Sequence, residues 1–301
     1  MSGPNVKKVL VTGGDGLLAQ AMKALNPPGF ALIFCARNDF DLQNHAQMDR
    51  QLAAIQPDLV INTAAYNLVD KCEVERDLSW SINATGPQKL AELCAACGIP
   101  LVHYGTDYVF DGAQQVPYTE ADQPHAINHY AAGKLAGEAA VLNASPRHLV
   151  LRTSWLFGIN PIRSQRSYIH AIIRQAMDGK PIRATTDQQA VPTYVGDLAA
   201  WTMELAGQSA SGLYHAVNDG GLSRFDWTKE ILAAAQAEGV ISAVPSVEPV
   251  TTAFFNSTIR RSTYSWLSNA KLTARLGHPL GSWKTGMQAM LRQPLWPESV
   301  A

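Results

Sequence analysis

The sequence predicts an α/β protein whose centre is a doubly wound parallel β-sheet. Apolar, strand-like runs alternate with helical stretches of about 10 to 15 residues, which is the pattern of strand–helix–strand units. Each run is almost continuously apolar, and this indicates strands that are covered on both faces. A glycine-rich turn joins the first run to the first helix. With 301 residues, the chain is long enough for one such domain and a smaller appended lobe.

The first half of the chain contains these elements in a regular order. A strand, a turn and a helix are predicted in KKVLVTGGDGLLAQAMKAL, and a second strand in FALIFCARNDFDL. A helix and a third strand at 59–62 follow in MDRQLAAIQPDLVINTAA. The same alternation then predicts a helix in GPQKLAELCAACG, a strand in PLVHYGTDYVF, a helix in HYAAGKLAGEAAVLN and a strand in RHLVLRTSWLFG.

The pattern loosens after about residue 156. We expect a polar loop in GINPIRSQRSY, a helix in YIHAIIRQAMDG and one more sheet strand in GLYHAV. Two short helices are expected at 226–238 and 269–276, and a segment rich in proline and threonine covers 245–258.

These elements predict two domains. Residues 1–156, with strand contributions from about 194–220, would form the sheet domain. Residues 157–193 and 221–301 would form a smaller C-terminal α/β lobe that binds the substrate.

The composition excludes several classes of function. Hydrophobic residues make up 47% and charged residues 16% of the chain, with a net charge of −1. The pI near 6.7 argues against a nucleic-acid partner and against binding to an anionic membrane surface. We find no secretory signal pattern and no apolar stretch of the roughly 18 to 20 residues that span a membrane. A cytoplasmic protein is expected.

A C-x-x-C motif at Cys94 and Cys97 has the spacing of a redox or zinc-binding pair. It lies in a predicted helix that Gly98 should end, and no second ligand pair accompanies it. We therefore predict that both cysteines are small buried hydrophobic residues.

The first glycine-rich turn, VTGGDGLLAQ, has the features of a dinucleotide site. Gly13 and Gly16 let the backbone approach a pyrophosphate, and the following helix offers free N–H groups to the anion. Ala19 is small enough for the helix to pack closely on the strand.

The end of the second strand indicates which dinucleotide binds. Sites for NAD usually end this strand with a carboxylate that hydrogen-bonds the ribose 2′-hydroxyl. Here Arg37 occupies that region, and its guanidinium can pair with a 2′-phosphate. The sequence therefore favours NADPH and leaves NADH open.

A set of polar residues follows the fourth predicted strand. Thr106 and Asp107 lie at its carboxyl end, where ligands bind in open α/β sheets. Tyr130 and Lys134 follow, one turn apart on one face of a predicted helix. A nearby ammonium favours the phenolate of a tyrosine, which brings its pKa closer to neutral pH. The arrangement is typical of proton transfer to a ketone that is being reduced.

The whole pattern resembles the extended short-chain dehydrogenase/reductases, with a Rossmann-type sheet, and within them the dTDP-4-dehydrorhamnose reductases. The matching stretches run from residue 9 to about 285 and are NTAAYNLVDKCEVE (62–75), HYGTDYVFDG (103–112), YAAGKLAGE (130–138), LRTSWLFG (151–158), DQQAVPT (187–193), GLYHAV (212–217) and RRSTYSWL (260–267). The resemblance implies NADPH-dependent reduction of the C4 ketone of a nucleotide-linked 6-deoxy-4-ketohexose. The implied reaction converts dTDP-4-dehydro-L-rhamnose into dTDP-L-rhamnose.

The resemblance also implies roles for individual residues. Tyr130 would be the proton donor, Lys134 would bind the nicotinamide ribose and tune Tyr130, and Thr106 would complete the triad. The other implied cofactor contacts are Gly16, Leu17 and Leu18 at the pyrophosphate, Asp41 and Leu42 at the adenine, and Ala65, Tyr66, Asn67 and Tyr104 along the cleft. The implied substrate contacts are Val69, Thr106, Asp107 and Trp155.

The chain departs from the family pattern at a few positions. Ala131, Ala190 and Ser262 stand where glycine, glycine and proline are usual. Some members of the family form a dimer through magnesium, held partly by a glutamate on the first helix. Gln20 and Ala21 occupy that region here, so we predict no metal and leave a homodimer open.

Two other functions stay open at this point. The first is reduction or epimerisation of another nucleotide-4-ketosugar. The second is a non-catalytic NADP-binding role, because the resemblance extends to a regulatory subunit of methionine adenosyltransferase. The presence of Thr106, Tyr130 and Lys134 together favours catalysis.

Overall fold

The structure is a computed structural model that describes residues 6–162, 167–257 and 259–293. Its strands are, in chain order, β1 Lys7–Thr12, β2 Phe30–Cys35, β3 Leu59–Asn62, β4 Leu101–Thr106, β5 Leu149–Thr153, β6 Leu156–Phe157, β7 Ile182–Thr185, β8 Gln189–Ala190, β9 Thr193–Tyr194, β10 Gly212–His215, β11 Leu222–Ser223 and β12 Val247–Val250. Its α-helices are α1 Leu17–Leu25, α2 His45–Ile55, α3 Val69–Cys72, α4 Arg76–Trp80, α5 Gly86–Ala96, α6 His129–Ala144, α7 Tyr168–Met177, α8 Val195–Gly207, α9 Arg224–Ala237, α10 Ala270–Leu276 and α11 Trp283–Leu291.

Six strands form one parallel sheet in the order β10–β5–β4–β3–β1–β2, which confirms the predicted fold class. Strand β1 lies between β2 and β3, so Val9 pairs with Leu32 on one side and Leu59 on the other. The direction of winding reverses at β1. In open α/β sheets, ligands bind at the carboxyl ends of the strands beside such a reversal. The topology therefore places a site just after β1 and β3.

Helices cover both faces of the sheet. On one face, Met22 of α1 and Leu198 of α8 pack in one hydrophobic core with Leu272 of α10. On the other face, Leu52 of α2 and Leu90 of α5 belong to a second core. Since both faces are covered, the strands are almost entirely apolar, as the sequence predicted.

The lobe has its own core around Trp227 of α9, with contributions from α7 and α11. Three two-stranded pairs accompany these helices: β6 with β9, β7 with β12, and β8 with β11. We propose the division of the chain predicted from the sequence, with α10 moved to the sheet domain, because this helix packs against β10 and α8.

Several local expectations can be compared with the structure. The strand predicted in GLYHAV is β10, at the edge of the sheet, whereas α8 and α11 were not predicted. Gly98, with a φ of +68°, follows α5 in the left-handed conformation that suits the end of a helix. Cys94 is buried but Cys97 is exposed, so the prediction that both are buried was wrong for Cys97. Cys97 is the C-cap residue of α5, where the side chain has turned away from the core.

Part of the predicted polar loop, residues 163–166, lies outside the described residues, as do 294–301 of the predicted lobe. Within the part of the chain that the structure describes, no helix has both the length and the apolar composition needed to cross a membrane.

Candidate active site

A cleft of about 1020 Å³ opens at the carboxyl ends of β1, β3, β4 and β5. Every site residue predicted from the sequence lines this cleft, except Asp107. The lining residues from that set are Gly13, Gly16, Leu17, Leu18, Arg37, Asp41, Leu42, Ala65, Tyr66, Asn67, Val69, Tyr104, Thr106, Tyr130, Lys134 and Trp155.

The turn after β1 packs closely on its neighbours because Gly13 and Gly16 have no side chains. Gly13 has a φ of +66°, and a Cβ there would lie 2.9 Å from the backbone of Ala64. A Cβ on Gly16 would lie 2.9 Å from the carbonyl oxygen of Gly13. The buried amide of Gln20 donates to the Gly14 carbonyl over 2.6 Å and fixes the turn. This cradle fits the pyrophosphate of a dinucleotide, because the first amides of α1 have no acceptor within the helix.

Arg37 lies at the rim of the cleft, two residues after β2. Its Nη2 donates to Oε1 of Gln43 over 2.8 Å, and its Nε lies 3.4 Å from Oδ2 of Asp41. The side chain is 62% exposed, so it can turn towards an anion at the end of the cleft.

Helix α6 carries Tyr130 and Lys134. The Asn128 side chain caps the helix by accepting from the Ala131 amide over 2.8 Å, and this fixes where the first turn begins. The Tyr130 hydroxyl points towards Oδ1 of Asn67, 3.5 Å away. The Lys134 ammonium donates to the Tyr104 carbonyl over 2.5 Å.

Burial changes the acidity of both groups. It raises the pKa of the Tyr130 phenol, and a hydrogen bond with Thr106 opposes that rise. It lowers the pKa of Lys134 to about 8, against the attraction of Glu138. Lys134 is therefore still mainly protonated at neutral pH, and its charge is available to stabilise a phenolate.

Asp107 lies behind Thr106 and outside the cleft. The Thr106 hydroxyl donates to Oδ1 of Asp107 over 3.2 Å, and the Ser265 hydroxyl donates to Oδ2 over 2.5 Å. The carboxyl group is 2% exposed, and burial raises its pKa to about 6. Asp107 is not among the residues that line the cleft, and its side chain accepts from Thr106. The implied contact between Asp107 and substrate stays a prediction.

Trp155 has a φ of +39°, which is unusual for a bulky residue and indicates local backbone strain. Its ring stacks on Trp227, with centroids 5.4 Å apart and planes 17° apart. The guanidinium of Arg224 lies 3.5 Å from the centroid of the same ring. The strained backbone thus places a flat apolar surface in the wall of the cleft.

Sequence reasoning missed Asn83, which lies in a π-helical turn at Ser81–Thr85. Its side chain accepts from the Tyr66 amide and donates to the Tyr66 carbonyl, both over 2.9 Å. Its backbone carbonyl packs so closely on α6 that a Cβ at Gly137 would clash with it. The SINATGP stretch has no pattern that predicts a π-turn, so this link was not visible in the sequence.

A second cleft, of about 620 Å³, adjoins the first, and Tyr168 lines both. Four arginines from the lobe line it: Arg183, Arg224, Arg260 and Arg261. Arg261 also pairs with Asp70 on α3 and so spans from the lobe to the sheet domain. Sequence reasoning missed this cleft because its arginines come from three separate stretches of the chain, at 183, 224 and 260–261.

Among the described residues, no group of three or more His, Cys, Asp or Glu side chains could hold a metal ion. The absence of a metal stays a prediction.

The family described as "RmlD substrate binding domain" matches residues 7–295 of this chain. The dTDP-4-dehydrorhamnose reductase of Mycobacterium tuberculosis is 33% identical over 294 residues, covering 96% of this chain and 93% of that protein. The enzyme of the same name from Sinorhizobium fredii is 31% identical over 291 residues, covering 94% and 96%. The crystal structure of dTDP-4-dehydrorhamnose reductase from Bacillus anthracis in complex with NADP has a TM-score of 0.87. It is 32% identical and covers 94% of this chain and 98% of that one.

The parallel sheet, the glycine cradle and the Tyr–Lys pair define an NAD(P)H-dependent oxidoreductase of the short-chain dehydrogenase/reductase class. The similarity to dTDP-4-dehydrorhamnose reductases extends over nearly the whole chain and identifies the family within this class. The chain belongs to the dTDP-4-dehydrorhamnose reductase family.

Proposed function

We propose that this protein reduces the C4 ketone of dTDP-4-dehydro-L-rhamnose with NADPH and so forms dTDP-L-rhamnose. The observation that carries the proposal is the meeting of Tyr130, Lys134 and Thr106 in the cleft that also contains the glycine cradle. Family membership supports the choice of substrate, since the relatives bear this activity in their names.

The parts of the cofactor can be assigned to residues that line the cleft. Gly13, Gly16, Leu17 and Leu18 would hold the pyrophosphate, and Arg37 would pair with the 2′-phosphate. The adenine and the rest of the cofactor would lie along Asp41, Leu42, Ala65, Tyr66, Asn67 and Tyr104. NADPH, when bound, supplies the hydride that C4 receives.

The residues around the ketone have separate tasks. The Tyr130 hydroxyl gives its proton to the ketone oxygen as that oxygen becomes alkoxide-like. The Lys134 ammonium stabilises the phenolate that is left behind, and its anchor on the Tyr104 carbonyl fixes its position. Thr106 is held beside Tyr130, because its hydroxyl donates to Asp107 and accepts from the Tyr108 amide.

The substrate would extend from this point into the lobe. Trp155 and Val69 offer apolar surface to a 6-deoxy sugar. The neighbouring cleft with its four arginines has the charge needed for the diphosphate of a nucleotide sugar. A nucleotide sugar therefore suits both clefts at once.

Two alternatives are weaker on these observations. An epimerase or a reductase of another ketosugar would use the same catalytic residues, and the substrate assay below separates them. A regulatory NADP-binding subunit would have no need of a buried Tyr–Lys pair beside Thr106. The cytoplasmic location, the homodimer and the lack of a nucleic-acid partner stay predictions.

The decisive test removes the tyrosine hydroxyl. Tyr130→Phe keeps the ring, so folding and NADPH binding should survive, whereas kcat should fall by roughly 10²- to 10⁴-fold. Lys134→Met should lower kcat and also weaken NADPH binding. If the two residues act as one unit, the double variant should be little worse than the more damaged single variant.

The assay follows NADPH oxidation at 340 nm with dTDP-4-dehydro-L-rhamnose, and with a UDP-linked ketosugar for comparison. Tyr214→Phe is the matched control, because this half-buried tyrosine lies on β10, away from the cleft. Full activity in Tyr130→Phe would overturn the catalytic role of the pair and favour the regulatory alternative.

A further inference from the structure

A buried ion pair lies directly behind the catalytic end of the sheet. Arg152 on β5 donates from Nε to Oε2 of Glu138 over 2.9 Å, and from Nη2 to Oε1 over 2.5 Å. The side chains are only 3% and 4% exposed. The pair is therefore bidentate and shielded from water, which makes it strong and geometrically specific. The mechanism above gives neither residue a task.

The position of the pair connects it to three residues of the site. Glu138 follows Lys134 by one helical turn on α6, on the same face. Its carboxylate packs against strand β4 so closely that a Cβ at Gly105 would lie 2.8 Å from Oε2. Gly105 stands between Tyr104, which anchors Lys134, and Thr106. The carboxylate thus lies against the strand segment that holds both groups.

On the side away from Glu138, the Arg152 guanidinium contacts groups that carry no charge. Its Nη1 donates to Nε2 of His215 over 3.4 Å, and its guanidinium lies 5.1 Å from the centre of the Phe110 ring. His215 must then donate from Nδ1 to the Tyr118 carbonyl, 3.1 Å away, so it is neutral. Glu138 is the anion of a direct ion pair with Arg152, and Lys134 lies one turn away on the same helix.

The other titratable groups near Lys134 do not supply a second anion. On its own helix, Tyr130 is neutral because burial raises the pKa of its phenol. On β4, His103 is neutral because burial lowers the pKa of its ring. Arg152 on β5 is a cation on the far side of Glu138. Among the charged groups near Lys134, Glu138 is the anion that favours its protonated form.

We propose that Glu138, held in place by Arg152, is a positioning residue that keeps Lys134 protonated and aimed at the catalytic site. This inference rests on the proposed function for the task of Lys134, but it concerns the state of that ammonium and can be tested without turnover. Glu138 acts through Lys134 and touches neither the cofactor nor the substrate.

The experiment compares two charge changes in the full-length protein. Glu138→Gln keeps the shape of the side chain and removes its charge. The double change Glu138→Leu with Arg152→Met removes both buried charges together, so no ion is left unpaired in the core. The matched control is Glu238→Gln with Arg292→Gln, which removes a bidentate Arg–Glu pair from the exposed surface of the lobe.

Two measurements read the protonation of Lys134. The first is NMR titration of protein labelled with ¹³C-lysine and free of cofactor, with the Lys134 signal assigned from Lys134→Met. The second is the NADPH dissociation constant, measured by cofactor fluorescence between pH 6 and pH 9. Circular dichroism reports whether each variant is folded.

In both Glu138 variants we expect Lys134 to lose its proton at lower pH, by roughly one unit. The pH at which NADPH affinity declines should move down equally, so affinity at pH 8 should fall about fivefold. The control should match the parent protein. A folded Glu138 variant with an unchanged Lys134 titration would overturn the proposal, as would loss of folding in both variants, since the pair would then be purely structural. Failure of the ketosugar assay with a shifted Lys134 titration would count against the proposed function alone.

Discussion

Asp107 is buried at the active site at a cost in stability, and replacing it with asparagine should recover that cost. Burial raises the pKa of Asp107 from 3.8 to about 6, so the folded protein holds this proton more tightly than the unfolded chain. Stability should therefore fall as the pH rises from about 4 to about 6, while the buried group becomes charged. Asparagine stays neutral at every pH, so the variant does not lose this stability.

The size of the effect follows from the two pKa values. A difference of about two units corresponds to roughly 3 kcal/mol of unfolding free energy once the carboxylate is fully ionised. About half of it should develop between pH 5 and pH 8. The difference in unfolding free energy between Asp107→Asn and the parent protein should therefore be about 1.5 kcal/mol larger at pH 8 than at pH 5, in favour of the variant. The substitution also alters the hydrogen bonds with Thr106 and Ser265, and this changes the unfolding free energy by the same amount at both pH values. Comparing the two pH values cancels that contribution.

The assay is urea denaturation of both proteins at pH 5 and pH 8, followed by circular dichroism. Asp49→Asn, at an exposed position on α2, is the control and should show the same pH dependence as the parent. A difference between Asp107→Asn and the parent that is equal at both pH values would refute the reasoning. It would show that Asp107 is not penalised by burial.

Two further predictions concern the rim of the cleft and the cysteine pair. Arg37→Asp should raise the KM for NADPH about fivefold to tenfold and leave the KM for NADH nearly unchanged. An exposed pair of a cation and a phosphate contributes on the order of 1 kcal/mol, which sets this size. An equal effect on both cofactors would show that Arg37 does not bind the 2′-phosphate. Cys94→Ala should lower the unfolding free energy by about 1 kcal/mol, since this side chain is fully buried, whereas exposed Cys97→Ala should change it by less than about 0.5 kcal/mol. Neither change should alter the metal content measured by mass spectrometry, and loss of a stoichiometric metal from either would contradict our assignment of the pair.

The features that were predictable from the sequence are those determined by near neighbours in the chain. The glycine turn after β1 and the Tyr–Lys spacing on α6 each depend on a few consecutive residues. Apolar runs identify strands covered on both faces, so the sheet followed from the pattern of the first half.

What could not be predicted depends on contacts between distant residues. Ser265 is 158 residues from Asp107 in the chain, yet its hydroxyl donates a hydrogen bond to the Asp107 carboxylate. The sequence shows that Asp107 follows Thr106, but not on which side of the strand end its carboxylate lies. The prediction that Cys97 is buried was wrong for a related reason. Helical periodicity assigns each residue to a face of the helix, but this assignment no longer holds at the last turn, where the helix ends.

The link through Asn83 has a consequence for how members of such a family can diverge. Asn83 contacts both the loop at Tyr66, through its side chain, and the helix that carries Tyr130, through its backbone carbonyl. The reacting parts of the enzyme therefore share one rigid frame within the sheet domain. The contacts between the lobe and this frame include the side chains of Arg261 and Ser265. We therefore expect mutations in the lobe to change which sugar is accepted while the geometry of hydride and proton transfer stays the same.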